Sequence, residues 1–368
     1  MNLQSKTIDF LRFPLMLMVI FIHNPHLGID MQNIDYTNLT GEGIYSIVVT
    51  LGHYTLTHIA VPGFFMFSGF LFFYKTSEFT HVQYFNKLKK RIKTLFIPYL
   101  LWNTLFISIS WIIAMKNGEL VAFWTNLSDK GIFSIFWNHS TWGNPLENQI
   151  FYGPALVPLW FLRDLILSII LSPIIYYLVK YTKIFGIIGL GFLYYFNIGF
   201  VVEGYNLNQL ICAVFFFAFG GYFSINAKNL VLSFRKVQIF SSLLAVTSLV
   251  FSVYFYPTKI FNYIYPIYVI SGVITMVNMA SFLLERNKVK EIELLSKASF
   301  FVYLSHTVLI LGFSRRCLNI IIPFDNYIVL TIKYLITPFL CAFICIVLYS
   351  LLRKFMPKFL AIIVGGRS

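Results

Sequence analysis

Long apolar stretches alternate with polar connections along the whole chain, and this alternation is the strongest pattern in the sequence. An α-helix needs about 20 apolar residues to cross the hydrocarbon core of a bilayer. The pattern therefore predicts an all-α, polytopic membrane protein with about ten transmembrane helices, built as one membrane domain over residues 1–368 without a soluble domain. The predicted spans cover residues 8–24, 52–74, 94–114, 159–179, 184–202, 209–224, 236–256, 263–283, 299–319 and 328–351.

The composition agrees with a membrane protein, since 58% of the residues are hydrophobic and only 11% are charged. The first apolar stretch follows directly on MNLQSKT and lacks a small-residue cleavage site, so we expect a retained helix and not a removed signal peptide. A net charge of +14 can indicate a nucleic-acid-binding protein. In a membrane protein the positive-inside rule explains the same excess, so no nucleic-acid partner is expected.

The distribution of the 28 lysines and arginines predicts the orientation of the chain. Most of them lie near the N-terminus, in the even-numbered connections and in the C-terminal tail, which predicts that both termini are cytoplasmic. Arg315 and Arg316, at the outer end of the ninth span, run against this bias. The cytoplasmic stretch 284–298 mixes charges of both signs with isoleucine and leucine, and it is predicted to form a short amphipathic interfacial helix.

Two ionisable side chains in the first span, Arg12 and His23, are the best indication of function in the pattern. Ionisable groups inside a bilayer are costly and usually face a wet cavity or mark a functional path. Eleven residues of helix make about three turns plus roughly 20°, so both side chains lie on one face, separated by roughly 16 Å along the axis. A permanent cation and a titratable base are thus predicted to share one stripe.

Four further ionisable residues fall within the predicted spans, namely Arg163, Asp164, His306 and Lys333. Each has an ordinary alternative, because a histidine can cap or pack a helix, and a long cation such as Arg12 or Lys333 can snorkel to the interface. The functional interpretation and the ordinary one therefore stay open for every member of this set.

A metal centre is not expected. His53 and His58 approach the outer end of the second span, near the predicted position of His23, but a spacing of five residues does not place both on one helix face. No carboxylate completes a familiar ligand set, and the four cysteines lack metal-like spacing. No tightly bound cofactor is expected either.

Aromatic residues accompany amide and hydroxyl side chains in the outside connection 115–158. Flat rings next to amides suit stacking and hydrogen bonding to sugars, whereas interfacial aromatic residues also anchor ordinary membrane proteins. Both interpretations apply to the residues of this connection, which are Trp124, Trp137, His139, Trp142 and Tyr152.

Several motifs follow the Arg12 and His23 stripe in a fixed order. They are VPGFFMFSGF at 61–70, the basic run KLKKRIK at 87–93 before Ile97-Pro98-Tyr99, PLWFLRD at 158–164 and SKASFFVYLSH at 296–306. In this combination and order, over residues 9 to about 350, the chain resembles the family-3 membrane acyltransferases. The resemblance implies ten transmembrane helices in a cell membrane, and the expected location is the plasma membrane of a bacterium. It also implies an O-acyltransferase that moves an acyl group, commonly acetyl from acetyl-CoA, to a hydroxyl of an envelope glycan or lipid-linked sugar.

Carried over residue by residue, the resemblance assigns Arg12 and His23 to the arginine and histidine that the family requires for activity. An Arg-x-x-Arg element of the family corresponds here to Lys90-x-x-Lys93 or to Arg91-x-x-Thr94. Either alignment keeps cationic charge but loses the bidentate geometry of two arginines. The role of this element is therefore open.

A mechanism follows as an expectation. We expect His23 to remove the proton from the acceptor hydroxyl as that oxygen attacks the thioester. Arg12 and the basic segment are expected to bind the phosphates of cytoplasmic acyl-CoA, with Trp160, Arg163 and Asp164 on the acceptor side. The donor-binding residues in this hypothesis are Arg12, Lys90, Arg91, Lys93, Tyr303 and His306.

His306 is harder to assign from the sequence. Counted from position 299, it lies about 10 Å from the cytoplasmic edge, whereas His23 lies about 24 Å from that edge. The two histidines are therefore not expected to form a direct pair. His306 and Tyr303 are instead expected to contact the pantetheine arm of the donor or to pack the helix.

A transporter or flippase for an envelope precursor is the alternative function, since such a protein also lines its substrate path with intramembrane charges. The two halves of the chain show no corresponding broken helices, and the ordered motifs favour acyl transfer.

Overall fold

Helices form nearly all of the regular structure, as the apolar pattern predicts. A computed structural model describes residues 3–76, 78–144, 149–202 and 205–367, with the backbone alone for 142–144, 149–151 and 202. Within these ranges the strands form two antiparallel hairpins, β1 (Ser140–Asn144) with β2 (Gln149–Gly153) and β3 (Val201–Val202) with β4 (Tyr205–Asn206). The α-helices are α1 (Leu3–His23), α2 (Gly41–Val49), α3 (Ala60–Phe73), α4 (His81–Arg91), α5 (Ile97–Asn117), α6 (Leu120–Lys130), α7 (Trp160–Ile170), α8 (Ser172–Thr182), α9 (Ile184–Tyr195), α10 (Leu207–Ile225), α11 (Leu230–Arg235), α12 (Gln238–Phe255), α13 (Lys259–Glu285), α14 (Glu293–Ser305), α15 (Leu311–Ile321), α16 (Tyr327–Phe355) and α17 (Pro357–Ile363).

Each of the ten predicted spans overlaps one of these helices. In the described part of the chain, seven helical stretches are long and apolar enough to cross a membrane, and α7 with α8 makes an eighth if this bent pair is one span. Two predicted spans fall short of that standard. Helix α9 has only 12 residues, about 18 Å of helix, and α1 is long enough but carries Lys6, Asp9 and Arg12. Length and composition thus support seven or eight crossing helices.

The fourth predicted span is broken, because α7 and α8 meet at an angle of 63°. The break falls at Leu171, two residues before Pro173 at the start of α8. Proline has no amide hydrogen to donate, and its ring clashes with a carbonyl of the preceding turn, so an α-helix cannot continue through it unchanged. At the first turn of a new helix the same residue is well tolerated.

The second predicted span is irregular, but the irregular part precedes its proline- and glycine-containing stretch. VPGFFMFSGF lies in the regular helix α3, most of whose residues are buried. The irregular part precedes it, as a π-helical turn at Thr50–Tyr54 and a 3₁₀ turn at Leu56–Ile59. There the hydroxyl groups of Thr55 and Thr57 donate to the carbonyls of Thr50 and Gly52, at 3.0 and 2.9 Å.

The ninth span starts earlier than predicted. Helix α14 begins at Glu293 and continues through a π-helical turn at His306–Ile310 into α15, which ends at Ile321, beyond the two outlying arginines. The predicted interfacial helix over 284–298 is wrong, since 284–285 end α13 and 293–298 are the first turns of α14. An ion pair of 3.0 Å between Glu293 and Lys297 stabilises the new helix start.

Residue contacts divide the chain into two compact units, the first made of residues 1–75 and 219–350. Helix α1 is at its centre and packs against α3, α11, α13 and α14. Its buried apolar side chains recur every three or four residues, as expected for one helix face against a core. They are Ile8, Leu11, Leu15, Met16, Val19 and Ile20.

Helices α3 and α10 approach each other closely in this unit. A Cβ atom at Gly220 would lie 1.8 Å from the carbonyl oxygen of Met66, so only glycine allows the two backbones to meet. One turn further along both helices, the hydroxyl of Ser224 donates to the carbonyl of Phe70 at 2.6 Å. The crossing is therefore fixed by backbone contact and by a hydrogen bond.

The second unit comprises residues 76–218 and 351–368. Helix α5 packs against α6, α17 and the 3₁₀ turn Ile132–Phe136. The C-terminal segment folds back onto the start of α5, where the indole of Trp102 donates to the carbonyl of Ile363 at 3.0 Å. Gly365, with φ of +63°, lies against the backbone of Thr94, where a Cβ atom would be 2.5 Å from the carbonyl oxygen.

We predict that Gly220→Ala destabilises the folded protein by at least about 1–3 kcal/mol, because the new methyl group overlaps the Met66 backbone. Thermal unfolding in detergent measures the effect. The matched control is Gly312→Ala, since no atom lies within 4 Å of a Cβ at that helical position. There, alanine is expected to be neutral or stabilising by up to about 1 kcal/mol. Equal losses of stability in both variants would contradict the close crossing.

Candidate functional site

The last residue of α1, His23, lies next to His306. The centroids of the two imidazole rings are 5.5 Å apart, with an angle of 46° between the ring planes. The expectation that the two histidines lie far apart is therefore wrong. Its cause is the position of the ninth helix, because a start at Glu293 and not at Ser299 moves His306 about 9 Å deeper.

The hydrogen bonds of His306 determine which of its nitrogens carries the proton. Its Nδ1 lies 3.1 Å from the carbonyl oxygen of Val302 and 2.9 Å from that of Tyr303. A carbonyl oxygen only accepts, so Nδ1 is the donor. Burial of His306 disfavours the charged form, and in the neutral imidazole Nε2 then keeps its lone pair. Nε2 is buried and has no hydrogen-bond partner among the residues that the structure describes. His306 is thus a neutral imidazole with a free basic nitrogen beside His23.

Three more histidines lie in the same unit as His23. The turns that carry His53 and His58 pack against α1, and the ring of His26 is 4.6 Å from that of His53. His58 donates from Nε2 to the carbonyl of His53 at 2.8 Å and accepts from the hydroxyl of Tyr265 at 2.7 Å. The irregular backbone before α3 brings these side chains together, which a regular helix would not do. Within the described ranges, no group of three or more His, Cys, Asp or Glu is arranged to hold a metal.

Arg12 has a carboxylate partner that the sequence analysis missed. Its Nη1 lies 2.9 Å from Oδ1 of Asp9, and its side chain stays 40% exposed. The spacing of three residues on one helix was the signal that could have found this pair. Nearby, on the connection between α13 and α14, burial and the Asp9 carboxylate raise the pKa of Glu291. The cation of the α1 stripe is therefore partly neutralised at its own helix.

The basic segment presents two kinds of cation. Lys90 and Lys93 are exposed, whereas Lys87 and Arg91 are half-buried and lie one helical turn apart on the same face of α4. Lys87 donates to the hydroxyl of Thr76 at 2.6 Å. The sequence analysis did not select Lys87, since the run KLKKRIK alone does not show which cations face the protein.

The structure distinguishes the two alignments of the Arg-x-x-Arg element. Arg91 faces inward, and the Thr94 hydroxyl three residues later is buried without a hydrogen-bond partner in the described part of the chain. The backbone of Gly365 covers this position. Arg91-x-x-Thr94 is therefore the alignment that faces the protein, while Lys90-x-x-Lys93 faces outward.

The predicted donor-binding residues are divided between the two units. Arg12, Tyr303 and His306 belong to the first, and the basic segment belongs to the second. Tyr303 is buried, with its ring stacked on that of Phe300 at 6.1 Å.

Arg163 and Asp164 form a buried ion pair at the start of α7 in the second unit. Nε of Arg163 lies 2.8 Å from Oδ1 of Asp164, and Nη1 donates to the carbonyls of Trp137 and Tyr152 at 2.6 and 3.1 Å. The guanidinium also lies 5.2 Å from the Trp137 ring centroid and 4.5 Å from that of Tyr205. Tyr205 donates from its hydroxyl to Asp164 at 3.0 Å. The pair thus fastens the connection 115–158 to α7.

Some hydrogen-bonding capacity in this region is unused. Nη2 of Arg163 and Oδ2 of Asp164 are buried without a partner among the described residues, and so are both amide atoms of Gln209 in the first turn of α10. Sequence reasoning missed Gln209 because it looked like the polar flank of an apolar span. Trp160, the first residue of α7, is half-buried.

The remaining candidates from the sequence analysis are Lys333 and the aromatic residues of the connection 115–158. Lys333 is buried and reaches back along α16 to Oδ1 of Asp325 at 2.8 Å and to the carbonyl of Phe324 at 2.9 Å. Trp124 is exposed, Trp137 stacks on Tyr205, and the side chain of Trp142 lies outside the described residues.

Comparisons with known proteins agree with the resemblance seen in the motifs. The profile of a family described as an acyltransferase domain matches residues 5–352. The succinoglycan biosynthesis protein ExoH of Rhizobium meliloti (strain 1021) is 24% identical over 385 residues, which cover 99% of this chain and 93% of that protein. No solved structure gives a significant match.

We predict that Asp164→Asn destabilises the protein by about 3–5 kcal/mol, because it leaves the buried guanidinium of Arg163 without a countercharge. The control is Glu285→Gln, which breaks an exposed ion pair of 2.7 Å with Arg235 and should cost about 1 kcal/mol or less. Thermal unfolding in detergent measures the loss of stability in each variant. A loss for Asp164→Asn no larger than that of the control would show that the pair does not hold the connection.

Proposed function

The chain belongs to the family of the acyltransferase domain, and from this premise we propose that it transfers a short acyl group, such as acetyl, from cytoplasmic acyl-CoA to a hydroxyl of an envelope glycan. His23 is the general base of this proposal, and the location is the plasma membrane of a bacterium. The enzyme class follows from the family, and several apolar helices make it a multi-pass membrane protein. The donor, the acceptor and the base are the proposed part.

The observation that carries the proposal is the pair of imidazoles formed by His23 and His306 inside an apolar helix bundle. In the reaction the acceptor oxygen forms a bond to the thioester carbonyl carbon, and the bond from carbon to sulfur breaks. The hydroxyl proton passes to His23 and from there to the CoA thiolate, which leaves as the thiol. An imidazole is suited to this exchange because it accepts and releases a proton near neutral pH.

An acceptor of the glycan class is supported by the printed function of the relative, which belongs to the biosynthesis of succinoglycan. Residues of the second unit have the chemistry to bind sugar hydroxyls. The unused guanidinium, carboxylate and amide atoms of Arg163, Asp164 and Gln209 are able to donate or accept hydrogen bonds, and Trp160 precedes Arg163 and Asp164 within the first turn of α7. These residues are the acceptor-side candidates.

Cations are the candidates for the donor, because acyl-CoA carries several phosphate charges. In the first unit this is Arg12, with Tyr303 as a candidate contact for the pantetheine arm. In the second unit the half-buried Lys87 and Arg91 are better placed than exposed lysines to make charge-assisted bonds in a medium of low dielectric. Lys90 and Lys93 are candidates for longer-range attraction of the anion.

Incubation of the purified protein with acyl-labelled acetyl-CoA and envelope glycan tests the activity itself. Label on the glycan is expected. A transporter or flippase would leave the glycan unlabelled, and that result would overturn the proposal. Parallel reactions with succinyl-CoA identify the acyl group.

We predict that His23→Ala lowers the rate of transfer by about 10²–10⁴-fold, the usual contribution of a general base. Membrane abundance and thermal stability are measured in parallel, so that loss of the protein is not mistaken for loss of chemistry. His81→Ala is the control, since His81 is exposed at the start of α4. Near-normal transfer by His23→Ala would end the assignment of the base.

We predict that Lys87→Gln and Arg91→Gln each raise the KM for acyl-CoA by about tenfold or more, with little change in kcat, as expected for the loss of a charge-assisted hydrogen bond to phosphate. The matched control is Lys89→Gln on the exposed side of the same helix. A screened surface charge should change KM by about twofold or less. Equal effects at all three positions would mean that net charge, and not the inward cations, attracts the donor.

A further inference from the structure

Nε2 of His306 is one of the buried polar atoms that have no hydrogen-bond partner in the described part of the chain and that the proposed reaction leaves unused. We propose that His306 positions His23, by accepting a hydrogen bond at Nε2 from one ring nitrogen of His23. The other ring nitrogen of His23 then faces the acceptor as the base. This inference rests on the proposed role of His23 and replaces donor binding as the role of His306.

The local backbone fixes His306 in the tautomer that this role requires. Its Nδ1 is held by the carbonyls of Val302 and Tyr303, both in the turn before it on its own helix. Donation by Nδ1 leaves Nε2 as an acceptor on the opposite side of the ring. The imidazole therefore presents a lone pair and cannot present a second proton while it stays neutral.

The position of His23 suits the bond. A separation of 5.5 Å between ring centroids allows a nitrogen of each ring to reach hydrogen-bond distance when the two ring edges face each other. His23 ends α1 and is half-buried, whereas His306 is fully buried. Rotation of the His23 ring about its terminal torsion, which has a broad energy profile, brings one nitrogen toward Nε2 and turns the other away.

The burial of a partnerless nitrogen indicates a function and not helix packing alone. An unsatisfied polar atom in the protein interior is destabilising because it has lost its hydrogen bonds to water, and an apolar side chain of similar size would avoid that loss. The π-helical turn that starts at His306 is a second sign, since such turns inside α-helices occur frequently at functional sites. Both features are accounted for if the lone pair serves His23.

The proton movements balance with this assignment. As the acceptor oxygen bonds to the acyl carbon, its proton moves to the outward nitrogen of His23, which becomes an imidazolium. The inward N–H of His23 then donates to Nε2 of His306 more strongly, because its donor is charged. The proton leaves with the CoA thiolate as the bond from carbon to sulfur breaks. His306 stays neutral throughout and therefore acts on orientation and charge stabilisation.

Two amide substitutions separate the two nitrogens of His306. His306→Asn places an amide near the position of Nδ1, where it can still donate to the carbonyls of Val302 and Tyr303, but it has no acceptor near Nε2. His306→Gln reaches the position of Nε2, where its carbonyl oxygen can accept from His23. The pair therefore tests the acceptor atom while both variants lack the imidazole.

We expect His306→Asn to lower kcat by roughly ten- to a hundredfold with KM for acyl-CoA and glycan within about twofold of the unchanged protein, since orientation of a base acts on the chemical step. His306→Gln is expected to retain kcat within about threefold because it restores the acceptor. Membrane abundance and thermal unfolding are measured for both. For a variant that folds poorly, kcat is calculated per folded molecule.

The combination with His23→Ala makes the test specific. If His306 acts through His23, then adding His306→Asn to His23→Ala lowers the rate no further, as expected for two residues that act as one unit. An additional loss in the double variant, or a kcat for His306→Gln as low as that for His306→Asn, overturns the inference. So does a rise in the KM for acyl-CoA with unchanged kcat, which would indicate donor binding.

The outcomes also separate this inference from the proposed function. Normal labelling of glycan by His23→Ala removes the base role of His23 and the inference with it. Loss of labelling in His23→Ala together with full activity in His306→Asn keeps the proposed function and overturns the inference alone.

Discussion

In an apolar surrounding each buried polar group must find a partner within the protein, and this constraint organises the structure. Helix formation satisfies the backbone, and short-range ion pairs bring several charged side chains together. Asp9 pairs with Arg12 on one helix, Asp325 with Lys333, and Asp164 with Arg163. Buried side-chain atoms without a hydrogen-bond partner nevertheless remain in the described part of the chain, and they include Nε2 of His306 and the amide of Gln209.

The apolar pattern predicted the helices well, because burial in lipid or in a helix bundle imposes a length and a composition that a sequence shows directly. Each predicted span overlaps a helix, although length and composition support seven or eight crossing helices in the described residues. The pattern also brought Arg12 and His23 onto one helix. The apolar pattern was less successful at the ends of the helices. The start of α14 at Glu293 is set by an extended residue before it and by an ion pair after it, and neither changes the apolar pattern. A difference of six residues was sufficient to separate His306 from His23 in the sequence interpretation.

Irregular turns account for most of what the sequence did not reveal about the candidate site. The π-helical turns at Thr50–Tyr54, Ile92–Phe96 and His306–Ile310 contain or follow the residues with candidate chemistry, namely His53, Arg91 and His306. The turn at His306–Ile310 lies inside a predicted span, and the turns at Thr50–Tyr54 and Ile92–Phe96 lie across the predicted starts of the spans 52–74 and 94–114. A wider turn rotates every later side chain relative to the earlier ones, so helix periodicity cannot assign faces across it. The neighbourhood of His26 and His53 was missed for this reason.

A histidine pair has an advantage over a histidine and a carboxylate in this environment. A carboxylate that orients a base must be kept ionised, which is costly in a medium of low dielectric unless it has its own cation, as Asp164 has in Arg163. A neutral imidazole with one nitrogen held by backbone carbonyls supplies a directed acceptor without any net charge. Its burial then leaves one nitrogen without a hydrogen-bond partner, whereas burial of a carboxylate places an ion in the interior. In the proposed mechanism the enzyme therefore orients its base inside the bilayer and develops charge only while the acceptor proton is on His23.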